Sequence, residues 1–114
     1  MRDGWVDSLD SLQIGASWCG THLVLCLSGE LDLCSAPQLR QALDDAAQLM
    51  PSGVFLDLEL VSFMDAAGIR AILTGDELFG PRLVLRRTPP YLVRLFTITG
   101  LDRRLTFAID ADSQ

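Results

Sequence analysis

Positive charge is scarce in this 114-residue sequence, which has 9 Lys and Arg against 15 Asp and Glu and a formal net charge of −6. Proteins that bind nucleic acids need clustered cations, because much of their affinity comes from releasing counterions from phosphates. The densest group is Arg82, Arg86 and Arg87. Successive side chains of a strand point to opposite faces, so Arg86 and Arg87 are expected to be separated. The composition therefore argues against a nucleic-acid partner.

Histidine and cysteine are also rare. The chain has one histidine, His22, and three cysteines, Cys19, Cys26 and Cys34. The cysteine spacings match no zinc-ligand pattern, and their odd number argues against a disulfide framework. The cysteines are most simply interpreted as small buried hydrophobic residues on strands. We therefore expect neither a metal ion nor a cofactor.

Long apolar runs are missing as well. No segment approaches the ~20 apolar residues of a transmembrane helix, so direct membrane insertion is not expected. Residues 1–15 lack the apolar core of a signal peptide, and we expect a cytoplasmic location. Glycine-rich phosphate loops are absent, and no nucleophile, base and partner recur at a recognisable spacing. The sequence therefore predicts a protein that is not an enzyme.

What the chain does contain is enough apolar material for one domain, with 49% hydrophobic and 21% charged residues. The order of patterns, ββαβαβαβ, predicts a single-domain α/β fold with a mixed sheet of about five strands and helices packed against it. We assign residues 1–11 to an acidic N-terminal arm, 12–110 to the domain and 111–114 to a tail.

The first half of the domain begins with a predicted hairpin of strands 12–17 and 22–28, and residues 29–32 are expected to break the second strand. A capping-box pattern at 35–38 then predicts a helix. Its expected buried stripe is Leu39, Leu43, Ala46 and Met50, widened by Ala42 and Leu49.

The second half begins with an apolar run at 54–58, which predicts a central strand, and continues with an apolar loop at 59–64. Asp65 is expected to cap the next helix, whose predicted buried residues are Ile69, Ile72 and Leu73. The remaining predicted elements are a strand at 82–86, a helix opened by a cap at Thr88 and ended by Gly100, and a strand at 105–109.

The junction at 62–69 is the most informative segment, because apolar residues and a capping carboxylate meet there at the start of a helix. A helix N-terminus has unpaired N–H groups and a partial positive charge, and it would hold an added phosphate. Phe63 and Met64 either fill the core or contact a partner, and the sequence leaves both alternatives open.

Four segments in this order, residues 27–32, 54–58, 62–69 and 90–101, resemble the STAS domain of anti-sigma-factor antagonists. The resemblance extends over about residues 12–110. It implies binding to an anti-sigma factor, usually a serine-kinase-like ATPase, which frees a sigma factor. In the family, phosphorylation of a Ser or Thr just after the motif aspartate releases the partner, since a phosphate adds negative charge to a fitted interface.

This chain departs from the family pattern at the phosphoacceptor position, which is Ala66 and is followed by Ala67. Without a hydroxyl this position cannot be phosphorylated, so we expect an antagonist that stays unphosphorylated there. Ser62 lies outside the acceptor position and is interpreted as a turn or capping serine. The predicted partner-binding residues are Asp32, Ser62, Phe63, Met64, Asp65, Ala66, Ala67, Gly68 and Ile69.

Other interpretations remain open from the sequence. STAS domains also occur as subunits that regulate ABC-type membrane transporters, and this is the alternative function. A disulfide between Cys26 and Cys34, which flank residues 29–32, would be a redox switch if their Cα atoms came within about 7 Å. Whether Ala66 and Ala67 replaced natural serines, and whether the domain dimerises, also stay open.

Overall fold

Within residues 12–109, which the computed structural model describes, five strands form one mixed sheet in the order β1-β2-β3-β4-β5. β1 is antiparallel to β2, and the other neighbours are parallel. The strands are β1 Leu12–Cys19, β2 His22–Leu31, β3 Gly53–Met64, β4 Leu83–Arg86 and β5 Thr106–Phe107. The helices are α1 Ala36–Gln48, α2 Ala66–Phe79 and α3 Pro90–Ile98.

The predicted α/β fold with a mixed five-stranded sheet is confirmed. The proposed arm at 1–11 and tail at 111–114 lie outside the described residues, and the domain boundaries stay a prediction. No helix in the described part of the chain is long and apolar enough to cross a membrane.

One face of the sheet carries the hydrophobic core. The ladder pairs Leu25 with Leu56 and Leu56 with Leu85, and all three side chains point to the face on which the helices pack. Leu43 of α1 and Phe96 of α3 are fully buried in the same cluster. Each such side chain contributes about 2–3 kcal/mol when it leaves water. The opposite face bears polar and partly exposed residues, and it is called the open face below.

The β2–β3 ladder contains two register shifts, one between Cys26 and Ser28 and one between Gly29 and Glu30. Each shift adds a residue on β3, so buried side chains recur there at every third position: Leu58, Val61 and Met64. The prediction of a loop at 59–64 is wrong, and so is the predicted strand break at 29–32. β-Bulges hide the period-two alternation that identifies a strand in a sequence.

The helix starts differ from those expected. Ser35 makes no capping bond to α1; its hydroxyl accepts a hydrogen bond from the Asp32 N–H (2.9 Å) and donates one to the Glu30 carbonyl (2.7 Å). The N-cap of α3 is Pro89, not Thr88. The predicted capping box is therefore wrong, because the buried Ser35 hydroxyl ties α1 to the end of β2.

Several expected core positions are exposed. Met50 is 86% exposed, Leu49 also faces solvent, and Ile69 and Leu73 are only partly buried. On α2, small residues occupy the core face in place of Ile69 and Leu73. Ala71 and Gly75 lie there and allow close helix packing. Gly100 does adopt the left-handed conformation expected after α3, with φ 79°.

All three cysteines are exposed, so the interpretation of Cys19, Cys26 and Cys34 as buried residues is wrong. Cys26 lies on the open face, where the ladder pairs it with Asp57. Cys26 precedes the end of β2 by five residues, which is roughly 16 Å of extended strand. Cys34 lies in the loop beyond that end, and the hydrogen bond from the Ser35 hydroxyl to the Glu30 carbonyl holds the loop there. This separation contradicts a disulfide between Cys26 and Cys34 in the folded chain.

Candidate partner-binding site

The carboxyl ends of β2 and β3 lie side by side, because the strands are parallel and Leu31 pairs with Met64. The loop that follows β2 and the junction that leads into α2 are therefore neighbours. This arrangement brings Asp32 close to the 62–69 segment, two parts of the chain that the sequence analysis assigned to one surface.

Asp65 joins these two segments. Its Oδ1 accepts a hydrogen bond from the Gly68 N–H at 3.0 Å, which caps α2 as predicted. Its Oδ2 accepts one from the Leu33 N–H at 3.2 Å, across the gap to the loop after β2. The Asp65 N–H in turn donates to the Leu31 carbonyl at 3.3 Å. One side chain thus fixes both the helix start and the adjacent loop.

Asp32 shapes the loop from within. Its Oδ1 accepts hydrogen bonds from the N–H groups of Cys34 and Ser35, each at 3.0 Å. Its carbonyl accepts another from the Ala36 N–H at 2.7 Å. An aspartate that bonds to backbone groups two and three residues ahead stabilises a tight turn. Asp32 therefore contributes by holding Leu33 and Cys34 on the surface.

Gly68 permits the close contact between α2 and the end of β2. A Cβ atom at this position would lie 2.5 Å from the Leu31 carbonyl oxygen and 2.9 Å from the Met64 Cγ. These distances are shorter than van der Waals contact, so any larger residue would push the helix away. The role of Gly68 is the spacing between the two elements.

The predicted site residues divide by exposure. Met64, Ala67 and Gly68 are buried, whereas Ser62, Phe63 and Ala66 are exposed. The sequence did not decide whether Phe63 and Met64 fill the core or contact a partner. In the structure Met64 is buried in the core, whereas Phe63 is 48% exposed on the surface. Asp32, Asp65 and Ile69 are intermediate. The part of the site that a partner can touch is therefore smaller than the predicted set.

Ser62 lies within β3 and is neither a turn nor a capping serine, which corrects that interpretation.

Two exposed apolar residues were not among the predicted ones. Leu33 is 71% exposed in the loop held by Asp65, and Leu60 is 63% exposed on β3. The signal for Leu33 was an apolar residue directly after the turn-forming Asp32. Leu60 could not be found because its segment was interpreted as a loop.

A buried ion-pair cluster lies on the open face. Asp57 is 3% exposed, and its Oδ2 accepts hydrogen bonds from Arg86 Nε (3.0 Å) and Arg87 Nε (2.9 Å). Its Oδ1 accepts one from the Glu59 N–H at 3.1 Å. Burial alone would raise the pKa of Asp57, but these hydrogen bonds and the charge of Arg87 outweigh it and leave the pKa below the ordinary 3.8.

The cluster contradicts the expectation that Arg86 and Arg87 are separated. Arg87 follows the last residue of β4 and has a positive φ of 51°, which turns its side chain back toward Asp57. Strand alternation no longer applies at that residue. A carboxylate within the apolar run at 54–58 was the available signal, since a buried aspartate is almost always paired.

Tyr91 stabilises the far end of β3. Its hydroxyl donates a hydrogen bond to the Val61 carbonyl, beyond Asp57, where the described pairing with β4 ends. Burial raises the pKa of the Tyr91 hydroxyl, so it stays protonated and remains a donor at neutral pH. This bond helps to hold the strand segment that carries Leu60 and Phe63.

No group of three or more metal-ligating side chains is found in residues 12–109. The geometry is that of a surface: an exposed methyl group at the start of α2, an exposed leucine in the adjacent loop and a half-exposed phenylalanine on β3. Such an arrangement of apolar groups around a helix N-terminus can bind another protein.

Comparisons with known proteins find similar sequences. The family model described as "Mlab, STAS domain" matches residues 14–108. Two relatives, the anti-sigma-B factor antagonists of Listeria monocytogenes and Listeria innocua, are each 33% identical over 85 residues, which cover 70% of this chain and 73% of theirs.

Solved structures show the same fold. An anti-sigma factor antagonist from Mycobacterium paratuberculosis is 25% identical, with a TM-score of 0.80 and coverage of 91% of both chains. The phosphorylated form of the Bacillus cell fate determinant SpoIIAA is 22% identical, with a TM-score of 0.65 and coverage of 89% of this chain and 96% of the other. At 22% identity, the second likeness concerns the fold alone.

Proposed function

The chain belongs to the STAS domain family, and we propose that it is an anti-sigma-factor antagonist that acts in the cytoplasm as a binding protein. In this function it binds an anti-sigma factor, a serine-kinase-like ATPase, and thereby frees a sigma factor. The two Listeria relatives, which carry the name of such antagonists, support the proposal. The observation that carries it is the exposed Ala66 methyl at the start of α2, beside the loop that Asp65 holds.

The contact surface is proposed to consist of the exposed residues Leu33, Phe63 and Ala66, with Asp65 and Asp32 as the residues that position them. Apolar side chains in the centre of an interface provide most of its binding energy, and a fixed backbone lowers the entropy lost on binding. The Asp65 hydrogen bonds to Leu33 and Gly68 supply this fixed geometry before the partner arrives.

The absence of a hydroxyl at Ala66 is proposed to make binding independent of the kinase activity of the partner. Ala66 is exposed, so a serine there would be accessible, whereas Ala67 is only 6% exposed and points into the core. A phosphate at position 66 would add about two negative charges to the contact surface. The alanine at position 66 prevents this route of release.

The test is a phosphorylation assay with the anti-sigma kinase, ATP and three proteins: the natural chain, Ala66→Ser and Ala67→Ser. We expect phosphate only on Ala66→Ser, followed by its release from the kinase. Ala67→Ser is the matched control, because its hydroxyl would be buried. Stoichiometric phosphate on the natural chain, at Ser62 or at any threonine, together with release, would contradict the proposal.

A pull-down from the native host identifies the class of partner. The proposal expects a kinase-like ATPase whose capture is lost when Ala66 is replaced by glutamate. Capture of a transporter ATPase or permease with the same dependence on position 66 would instead support the regulatory-subunit function.

A further inference from the structure

The two outer strands of the described sheet differ in how they are protected. β5 is only two residues long, Thr106–Phe107. β1 has eight residues, Leu12–Cys19, and pairs with β2 without any register shift. Its sequence, LQIGASWC, contains no proline and no charged residue. Sheet edges are usually blocked by short length, charge, proline or bulges, and β1 has none of these within the described chain.

A groove runs between β1 and α1, next to this edge, and its lining is mostly apolar but includes Gln38, Gln41 and Asp45 of α1. Its volume is about 780 Å³, and its walls include Ile14, Ala16 and Trp18 from β1 and Leu49, the residue that follows α1. Trp18 is 53% exposed and Leu49 is 57% exposed. Among residues 12–109 no strand pairs with the outer edge of β1, and only the Leu12 carbonyl at its start accepts a hydrogen bond from a side chain, that of Gln38 at 3.4 Å. Such an edge, with exposed apolar side chains beside it, has the features of a β-augmentation site.

We propose that β1 pairs in antiparallel orientation with β1 of a second copy of this chain and so forms a dimer with a continuous ten-stranded sheet. An antiparallel pair of identical strands has a two-fold axis, so each edge supplies the donors and acceptors that the other requires. The absence of charge along β1 favours a second copy, because an identical charged edge would repel itself. A standard interface buries about 800 Å² per partner, and from an edge of only eight residues we expect a weak dimer.

This pairing leaves both partner-binding sites free. The two-fold axis reverses the strand direction of the second copy, so the carboxyl ends of its β2 and β3 point the opposite way. The two Ala66 surfaces then lie at opposite ends of the extended sheet. The dimer would present two binding sites, and its existence does not depend on the proposed function of those sites.

Position 16 is the best place to test the pairing. The N–H and C=O groups on the outer edge of β1 belong to alternate residues, so in a self-paired edge the numbers of opposed residues add to an even number. With the two-fold axis at Ala16, Ala16 of one copy lies opposite Ala16 of the other, and residues 13–19 of the two strands overlap. Ala16→Glu would therefore bring two carboxylates close together, and like charges on paired strands destabilise the pair. Ala16 is exposed, so the substitution is compatible with the fold of one copy.

The experiment measures the molecular mass of the full chain by sedimentation equilibrium over a range of micromolar concentrations. We expect a monomer–dimer equilibrium, a dissociation constant at least about tenfold higher for Ala16→Glu, and no change for the control Ala66→Glu, which adds the same charge elsewhere. Salt should strengthen the dimer, because each copy has a net charge of −6. Ser17→Lys, also on the exposed part of β1, replaces Ala16→Glu if that variant does not fold.

A monomer at every concentration, or a dimer that Ala16→Glu and Ser17→Lys leave unchanged, would overturn the inference. So would a monomer in which Ala16→Glu lowers the affinity for the anti-sigma factor, since the edge would then bind that protein. The proposed function fails separately, when Ala66→Glu leaves the affinity for the anti-sigma factor unchanged.

Discussion

The Nη2 atom of Arg87 lies 2.7 Å from the Oδ2 atom of Asp57, although Asp57 lies within β3 and Arg87 follows the end of β4. The neighbouring Arg86 donates to the same oxygen. The contact depends on the left-handed backbone of Arg87, a conformation that costs a non-glycine residue about 1–2 kcal/mol. The ion pair offsets that cost. It ties β3 to the end of β4 on the face that no described helix covers.

Replacing Asp57 with asparagine is expected to lower the free energy of unfolding by about 1–3 kcal/mol, because hydrogen bonds to charged groups are among the strongest. The amide also has only one acceptor oxygen, so it cannot accept from the two arginines and from the Glu59 N–H at the same time. Arg86 and Arg87 are partly exposed and will be solvated, which limits the loss. Urea denaturation at pH 7 measures the change. Asp44→Asn, on the exposed face of α1, is the matched control and should stay within about 0.5 kcal/mol of the natural chain.

The stabilising effect of Asp57 should depend on acidity. Its pKa in the folded chain is below its ordinary value, so the ionised form is favoured by folding and the stability that it contributes is complete well above pH 4. As the pH falls below about 4 toward the folded pKa, this contribution is lost. The difference in unfolding free energy between the natural chain and Asp57→Asn should therefore shrink between pH 5 and pH 2. A constant difference over this range would show that the ion pair does not set the pKa.

Gly68→Ala tests the spacing between α2 and β2. Alanine normally favours a helix over glycine by about 1 kcal/mol, but here its Cβ would lie 2.5 Å from a backbone oxygen. We expect a net destabilisation of about 1–3 kcal/mol, typical of overpacking. Gly15→Ala is the control, since nothing lies within 4 Å of its Cβ position, and it should be close to neutral. Thermal unfolding of both variants gives the comparison, and equal stability would exclude a steric role for Gly68.

Much of the fold could be predicted because local patterns and global packing agree in most elements. The apolar run at 54–58 does lie in a strand, as the first half of β3, and Asp65 does cap α2. The end of α3 was found because Gly100 is a residue that tolerates a left-handed backbone.

The errors occur where long-range contacts override local signals. Ser35 has the sequence of a cap, but its hydroxyl bonds to Glu30 in the preceding strand. The bulges of β3 depend on the partner strand, and the turn of Arg87 depends on Asp57. Cys26 was predicted to be buried because its strand is apolar. The register of the ladder, which pairs Cys26 with Asp57, shows that it lies on the open face. The sequence predicted the segment that forms the candidate binding site. Which of its side chains are exposed could be read only from the structure.

The proposed contact surface can be tested directly with Ala66→Glu. The exposed Ala66 is the first residue of α2, and an acidic side chain suits the first turn of a helix, so the variant should keep its fold and its unfolding temperature. In a complex, the new carboxylate would be desolvated without a partner, which should weaken binding to the anti-sigma factor by about 1–3 kcal/mol. Titration calorimetry measures the affinity, with Ala16→Glu as a control of equal charge on β1. Unchanged affinity of a folded Ala66→Glu protein would mean that the start of α2 is not where the partner binds.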